Sequence, residues 1–127
     1  METKYIDING YWGILICYDY TMLDYDDIYA ICRSFGMSGL RTEESLRVLH
    51  KPNTGMTISN LGLRMSVVFI SDATDESEWW STCIHELKHC HDAILEYYGE
   101  DFVGEPSAYT IGYLIKRVIE EIAEPCR

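Results

Sequence analysis

The amino-acid sequence predicts a single α+β domain that spans residues 1–127. Strand-like segments rich in β-branched and aromatic residues occur near the start and in the middle of the chain, and two long helical patterns follow them. The length suits one domain. Because 47% of the residues are apolar, the chain can build one core without a disulfide framework.

The first part of the chain predicts a β-hairpin and two helices. Residues 5–20 are rich in Tyr, Ile and Trp and are interrupted at Asn9-Gly10, a dipeptide typical of hairpin turns. A helical segment opens at Leu23-Asp24, and Gly36 is its expected end. A second, short helix is expected to begin at Thr42–Ser45.

The middle of the chain predicts two more strands. They are expected at Met56–Ser59 and Leu63–Ser71, on either side of a break at Asn60–Gly62. The second strand alternates at first and then becomes apolar throughout. Together with the hairpin, these strands predict a small antiparallel or mixed sheet.

The last part of the chain predicts two helices. Asp75–Glu78 places acids at the N-terminus of a helix that is expected to run from Ser77 to Tyr98 and to stop at Gly99. The next helix is expected to begin at Gly104–Pro106, since proline suits a first turn. The apolar stripe predicted for the first of these helices consists of Ile84, Leu87, Ile94 and Tyr98.

Charge and composition narrow the range of partners. The formal net charge of −11 argues against nucleic acid or an anionic membrane as the main partner. No signal peptide is evident, and the longest apolar runs are far too short to span a bilayer. We therefore expect a cytoplasmic protein. The five cysteines are expected to be reduced, mostly buried thiols, because their number is odd and no CxxC spacing occurs: Cys17, Cys32, Cys83, Cys90 and Cys126.

One motif on the predicted long helix points to metal chemistry. His85 and His89 lie four residues apart, so they share one face of a helix, and each imidazole can give one nitrogen to a tetrahedral Zn²⁺. Glu86 lies about 100° further round the helix, where its carboxylate can activate a water molecule in the open position of the metal. The sequence therefore predicts zinc ligands at His85 and His89 and a catalytic base at Glu86.

The third zinc ligand has two candidates. Glu105 is the first, because a helix that folds back antiparallel would return its first turn toward the two histidines. Asp92 shares the face of His85 and His89, but three ligands on one straight helix would strain a tetrahedral arrangement. We expect Asp92 to orient an imidazole N–H instead.

Two further residues have secondary roles in this prediction. His91 falls on the apolar stripe of the long helix, so we expect it at the edge of the core rather than on the metal. Tyr109 lies one turn after Glu105 and could donate its hydroxyl to an oxyanion, although packing is the commoner role of tyrosine.

The motif and the residues that follow it resemble a known group of proteins. His85–His89 followed by Glu105–Tyr109 resembles the gluzincin group of zincin metallopeptidases. The stretch from Trp79 to Ile115, which includes Gly112-Tyr113-Leu114, also resembles small HExxH proteins of bacteriophage genomes. The sequence lacks the Asn-Glu signature that larger gluzincins carry around their third ligand.

The resemblance implies a minimal zincin-like domain in which the sheet packs on the HExxH helix and on the helix after it. It implies a zinc metallopeptidase with Glu105 as third ligand, acting in the host cytoplasm if the protein is phage-encoded. A peptide or protein substrate would lie extended along an edge strand within Leu63–Ser71. The alternative is an inactive zincin-like binding or assembly module with a structural zinc. The oligomeric state is not predicted.

Overall fold

Four strands form one mixed sheet in the computed structural model, which describes residues 1–122. The strand order is β1-β2-β4-β3. β1 runs antiparallel to β2, β2 is parallel to β4, and β4 runs antiparallel to β3. The predicted α+β class with a mixed sheet is therefore confirmed. The strands are β1 (Glu2–Ile8), β2 (Trp12–Tyr18), β3 (Gly55–Asn60) and β4 (Met65–Ile70).

The predicted hairpin is confirmed in β1 and β2. Asn9 and Gly10 take left-handed φ values of 52° and 76°, which a tight turn of type I′ requires at both central positions. The turn closes with a hydrogen bond of 2.8 Å from the Tyr11 N–H to the Ile8 carbonyl. The Asn-Gly signal therefore located this turn correctly.

Four α-helices complete the described chain. A short 3₁₀ turn at Met22–Asp24 leads into the first of them, as the signal at Leu23-Asp24 predicted. No helix within residues 1–122 is long and apolar enough to cross a membrane. The helices are α1 (Tyr25–Ser34), α2 (Gly39–Leu49), α3 (Glu76–Tyr98) and α4 (Glu105–Glu121).

The helices cover both faces of the sheet, because successive residues of a strand point to opposite sides. On one face, Ile14, Ile16 and Val68 pack in the core that contains residues of α3 and α4. On the other face, Cys17 and Val67 pack in the core that contains residues of α1 and α2. The result is a sheet between two helical layers.

The predicted start of α2 was wrong by three residues. Ser38 caps the helix, since its hydroxyl accepts a hydrogen bond of 3.3 Å from the Arg41 N–H. Thr42 lies inside the helix and is buried, with its hydroxyl bonded to the Ser38 carbonyl. The acids at positions 43 and 44 had suggested a helix start, but the capping serine lies before them.

The boundaries of α3 match the prediction closely, but its apolar stripe does not. Asp75 caps the helix through the Glu78 N–H at 2.8 Å, and Gly99 ends it with a left-handed φ of 70°. Leu87 and Ile94 are buried as predicted, whereas Ile84 is 41% exposed and Tyr98 is 39% exposed. The buried face of α3 is centred nearer to residues 83, 87 and 90 than the predicted stripe.

The expected edge strand is a central strand. β4 lies between β2 and β3, and its residues 66–70 are all buried. A run that is apolar on both faces is typical of a strand covered on both sides. The edge strand of this half of the sheet is β3, so the expectation of an edge strand within Leu63–Ser71 was wrong.

The described cysteines are buried free thiols. Burial, together with the nearby carboxylate of Glu86, raises the pKa of Cys83 and Cys90 to about 12. Burial likewise raises the pKa of Cys17 to about 12 and that of Cys32 to about 11. These four thiols therefore pack as small apolar groups. Cys126 lies outside the described residues.

Candidate metal centre

His85 and His89 lie on the outer face of α3, one turn apart. Their ring centroids are 5.2 Å apart and the ring planes are inclined by 76°. The His85 side chain is 70% exposed. Within residues 1–122, neither ring forms a hydrogen bond, so the nitrogens of both remain available to a ligand.

Glu86 points away from solvent, toward the edge strand. It is only 5% exposed, and its Oε1 lies 2.9 Å from the hydroxyl of Thr57 on β3. The same hydroxyl lies 3.1 Å from the Glu86 carbonyl oxygen, so Thr57 ties both the side chain and the backbone of Glu86 to the sheet. The other carboxylate oxygen, Oε2, lies 3.8 Å from His85 Nε2. The carboxylate is thus fixed with one oxygen beside a candidate ligand.

Gly55 at the start of β3 makes this approach of helix and strand possible. A Cβ atom at this position would lie 2.9 Å from the Glu86 Cγ and 2.9 Å from the Thr82 methyl group. It would also lie 3.0 Å from the carbonyl oxygen of Phe69, which is backbone and cannot turn aside. The contacts of Gly55 and Thr57 were not predicted, because they depend on the packing of β3 against α3.

Two neighbouring cavities share Val48 and Gly55 in their linings, and one of them reaches the motif. The first, of about 410 Å³, reaches His85 and Glu86 and extends along α3 to Glu78. The second, of about 310 Å³, lies against α2 and is lined in part by Glu44. Since Val48 and Gly55 line both cavities, we describe them together as the β3 cleft. It borders the candidate metal centre and the beginning of the edge strand.

The candidates for the third ligand are not gathered with the two histidines. Glu105 is exposed in the first turn of α4. Asp92 forms an ion pair with Lys88 and lies 2.8 Å from Nδ1 of His91. The imidazole that it contacts is therefore that of His91, and not that of His85 or His89. Within residues 1–122, no group of three His, Cys, Asp or Glu side chains is arranged to hold a metal ion.

The environment of Asp92 keeps it ionised. Partial burial raises the pKa of its carboxyl, but hydrogen bonds from Lys88 and His91 outweigh this effect and leave the pKa below its ordinary value. A carboxylate already engaged by two partners is less free to turn toward His85 and His89. Asp92 is therefore engaged by partners other than the two motif histidines.

His91 lies on the opposite side of α3 and is fully buried. Its Nε2 lies 2.8 Å from the Ser107 hydroxyl, which lies 2.9 Å from the carbonyl oxygen of Phe102. With Asp92 at Nδ1, both ring nitrogens have partners. The prediction that His91 belongs to the core is confirmed. Its bond to Ser107 also connects α3 to the first turn of α4, the turn that carries Glu105.

Tyr109 lies away from the candidate metal centre. It is 75% exposed and lines a groove of about 510 Å³ formed with Ile8, Tyr98 and Tyr113. None of His85, Glu86 and His89 lines that groove. The structure therefore gives Tyr109 no contact with the motif, and it lends no support to an oxyanion role.

The donor set fits zinc in part. Two imidazoles four residues apart on one exposed helical face match two positions of a tetrahedral zinc site, and a carboxylate stands beside one of them. The remaining protein ligand has to come from a side chain that moves toward them. Comparison of the chain with known protein families, with curated proteins and with solved structures gives no match.

Proposed function

We propose that this protein is a zinc-dependent hydrolase, most simply a small metallopeptidase. One observation carries the proposal: the exposed turn that presents His85 and His89 also fixes the carboxylate of Glu86 with Oε2 3.8 Å from His85 Nε2. That is the placement a general base needs beside a zinc ligand. The resemblance of the motif and its sequel to gluzincins supports the same assignment.

The roles of the residues follow from their chemistry. Zinc, when bound, lowers the pKa of water to about 7 and polarises the substrate carbonyl. Glu86 takes the proton of the attacking water and passes it to the leaving amine. Thr57 holds Oε1 of Glu86, which keeps Oε2 directed toward His85. His85 and His89 bind the metal, and we propose Glu105 as the third ligand.

The first turn of α4 is already held against α3. The bond between Ser107 and His91 joins the two helices two residues after Glu105 and two residues after His89. The bond lies on the inner side of α3, so the turn that carries Glu105 would have to move around the helix for its carboxylate to reach His85 and His89. Asp92 is held by Lys88 and His91, which supports Glu105 as the better candidate.

We propose that the substrate is a polypeptide bound along β3. Within residues 1–122 this strand pairs with β4 alone, so its other edge can take an additional strand. It begins at Gly55 in the β3 cleft, beside Glu86. A cytoplasmic location, in a host cell if the protein is phage-encoded, is part of the same proposal.

A second candidate is a binding or assembly module whose zinc is structural. The observation that favours it is the burial of Glu86. This carboxylate is 5% exposed and bonded to Thr57, so its whole role could be to join α3 to the sheet. Such a module would bind zinc through the same histidines. Loss of the base would not affect its function.

The first test is the metal content of the purified full chain. We expect close to one equivalent of zinc, and we expect His85→Ala or His89→Ala to lose it because each removes a ligand. His50→Ala is the matched control, since His50 is an exposed histidine at the end of α2, outside the motif. Full zinc occupancy in the double variant His85→Ala/His89→Ala would overturn the assignment.

A further inference from the structure

The charges that line the β3 cleft have one sign. Glu44 enters from α2, and Glu78 and Glu86 enter from α3. Among residues 1–122, no lysine or arginine lines either of its two cavities. The two helices therefore present carboxylates to the cleft from opposite walls.

Two of these carboxylates are available to a ligand. Glu86 is buried and bonded to Thr57, whereas Glu44 and Glu78 are exposed. Neither Glu44 nor Glu78 forms an ion pair with a residue within 1–122. The cleft thus contains two unpaired carboxylates in a chain whose formal net charge is already −11. Such a field attracts cationic partners and repels anionic ones.

The second cavity adds an apolar wall. Val48, Leu49 and Met56 line it beside Gly55, next to the edge of β3. Val48 is 47% exposed, so part of this wall can be covered by an incoming side chain. The cleft therefore combines an apolar surface with two acidic groups, and both lie close to the strand edge.

The spacing along α3 sets where a positive charge would lie. Glu78 precedes His85 by seven residues, or two turns of helix, which corresponds to roughly 10 Å. An extended strand advances about 3.3 Å per residue, so a bound peptide that runs alongside α3 would cover this distance in about three residues.

We propose that the β3 cleft selects an extended polypeptide segment with a lysine or arginine about three residues from the bond beside His85 and Glu86. Glu78 and Glu44 are the specificity-determining residues, and the Val48 wall receives an apolar side chain of the same segment. The position of the reacting bond rests on the proposed function. The preference for a basic segment rests only on the cleft and can be measured by binding.

The experiment measures binding of fluorescent peptides to the zinc-loaded full chain. The peptides share one extended apolar sequence and differ at a single position, which is Lys, Arg, Ala or Glu. We expect the Lys and Arg peptides to bind on the order of 10-fold more tightly than the Glu peptide, since the exposed carboxylates attract the former weakly and repel the latter. The preference should weaken as salt is raised, because exposed charges are screened.

Matched variants separate the cleft from the overall charge. Glu78→Lys and Glu44→Lys should each remove most of the preference for basic peptides. Glu76→Lys and Glu43→Lys change the net charge equally at exposed positions of the same helices that do not line the cleft, so they should preserve it. Circular dichroism of each variant checks that the helices are intact.

The outcomes distinguish this inference from the proposed function. Equal binding of all four peptides, no measurable binding of the basic peptides, or equal effects of Glu76→Lys and Glu78→Lys would overturn the inference. Selective binding of basic peptides without any cleavage would support the inference and count against the hydrolase. Cleavage without a basic preference would support the hydrolase and overturn the inference.

Discussion

The two sides of helix α3 present the same residue type in opposite states. On the inner side, His91 is fully buried, and its ring nitrogens face Asp92 and the Ser107 hydroxyl at 2.8 Å each. On the outer side, His85 and His89 contact each other and, within residues 1–122, form no hydrogen bond through their rings. The residues are at most six positions apart, so the packing around the helix accounts for the difference.

This difference distinguishes a histidine that is held in the core by hydrogen bonds from histidines whose ring nitrogens can bind a ligand. A buried polar group must find hydrogen-bond partners, and one that has found them is expensive to redirect. An exposed imidazole pair is hydrated in the absence of a ligand, so a metal replaces only water. Glu86 lies between the two cases, because it is buried like His91 yet has one oxygen near His85.

The largest expected effect tests whether the outer side is catalytic. Glu86→Gln removes the base but no zinc ligand, so zinc content and fold should be preserved. Peptide hydrolysis should fall by about 10²–10⁴-fold, the usual contribution of a general base. Cleavage of a peptide library, with zinc content measured in parallel, checks this expectation. Glu96→Gln, at an exposed position of the same helix, is the control.

The result has to be judged on biological function as well as on model peptides, because a selective peptidase can ignore generic substrates. A Glu86→Gln protein that performs like the unmodified protein in its native setting would end the hydrolase proposal. It would leave the assembly module as the better account of the zinc site.

The next effect concerns the third ligand. Glu105→Ala should weaken zinc binding by more than about 100-fold, since it removes the proposed third ligand. Asp92→Ala should cost at most the 10–100-fold typical of an outer partner, because Asp92 contacts Lys88 and His91 instead. Competition with a chelator measures both affinities. If Asp92→Ala strips the metal and Glu105→Ala does not, all three ligands lie on α3.

The motif could be found from sequence because its geometry is local to one helix. His85 and His89 share a face by spacing alone, and the caps at Asp75 and Gly99 mark the ends of their helix. The contacts of Thr57 and Gly55 with α3 could not be found in this way. They arise when β3, whose contacting residues lie 27 to 31 positions earlier in the chain, packs against the helix.

Strand order was the other feature that local patterns did not determine. The apolar run at residues 67–70 was a usable signal, since a strand covered on both faces needs apolar residues on both. The alternating start of Leu63–Ser71 had suggested a strand with one polar face instead. β4 lies inside the sheet, with β3 at the edge, because β4 pairs in parallel with β2.

The smallest effect tests the inner side of α3 through stability. His91→Ala removes a fully buried ring, leaves a cavity, and leaves Ser107 and Asp92 without their imidazole partner. Unsatisfied buried groups and core cavities each cost free energy, so we expect the free energy of unfolding to fall by about 2–4 kcal/mol. Urea unfolding of the metal-free protein measures this change. His89→Ala changes an exposed residue of the same helix. It should alter the free energy of unfolding of the metal-free protein by less than about 0.5 kcal/mol, as is usual at exposed positions.

The zinc content of the same two variants should show the opposite pattern from their stability. His91→Ala should still bind close to one equivalent of zinc, because His91 is directed into the core, while His89→Ala should bind none. A loss of stability in metal-free His89→Ala as large as that in His91→Ala would show that the outer histidines also hold the fold. Retention of stability in His91→Ala would show that the bonds to Asp92 and Ser107 contribute little, and that α4 is held against α3 by its apolar contacts, such as that of Leu114 in the core.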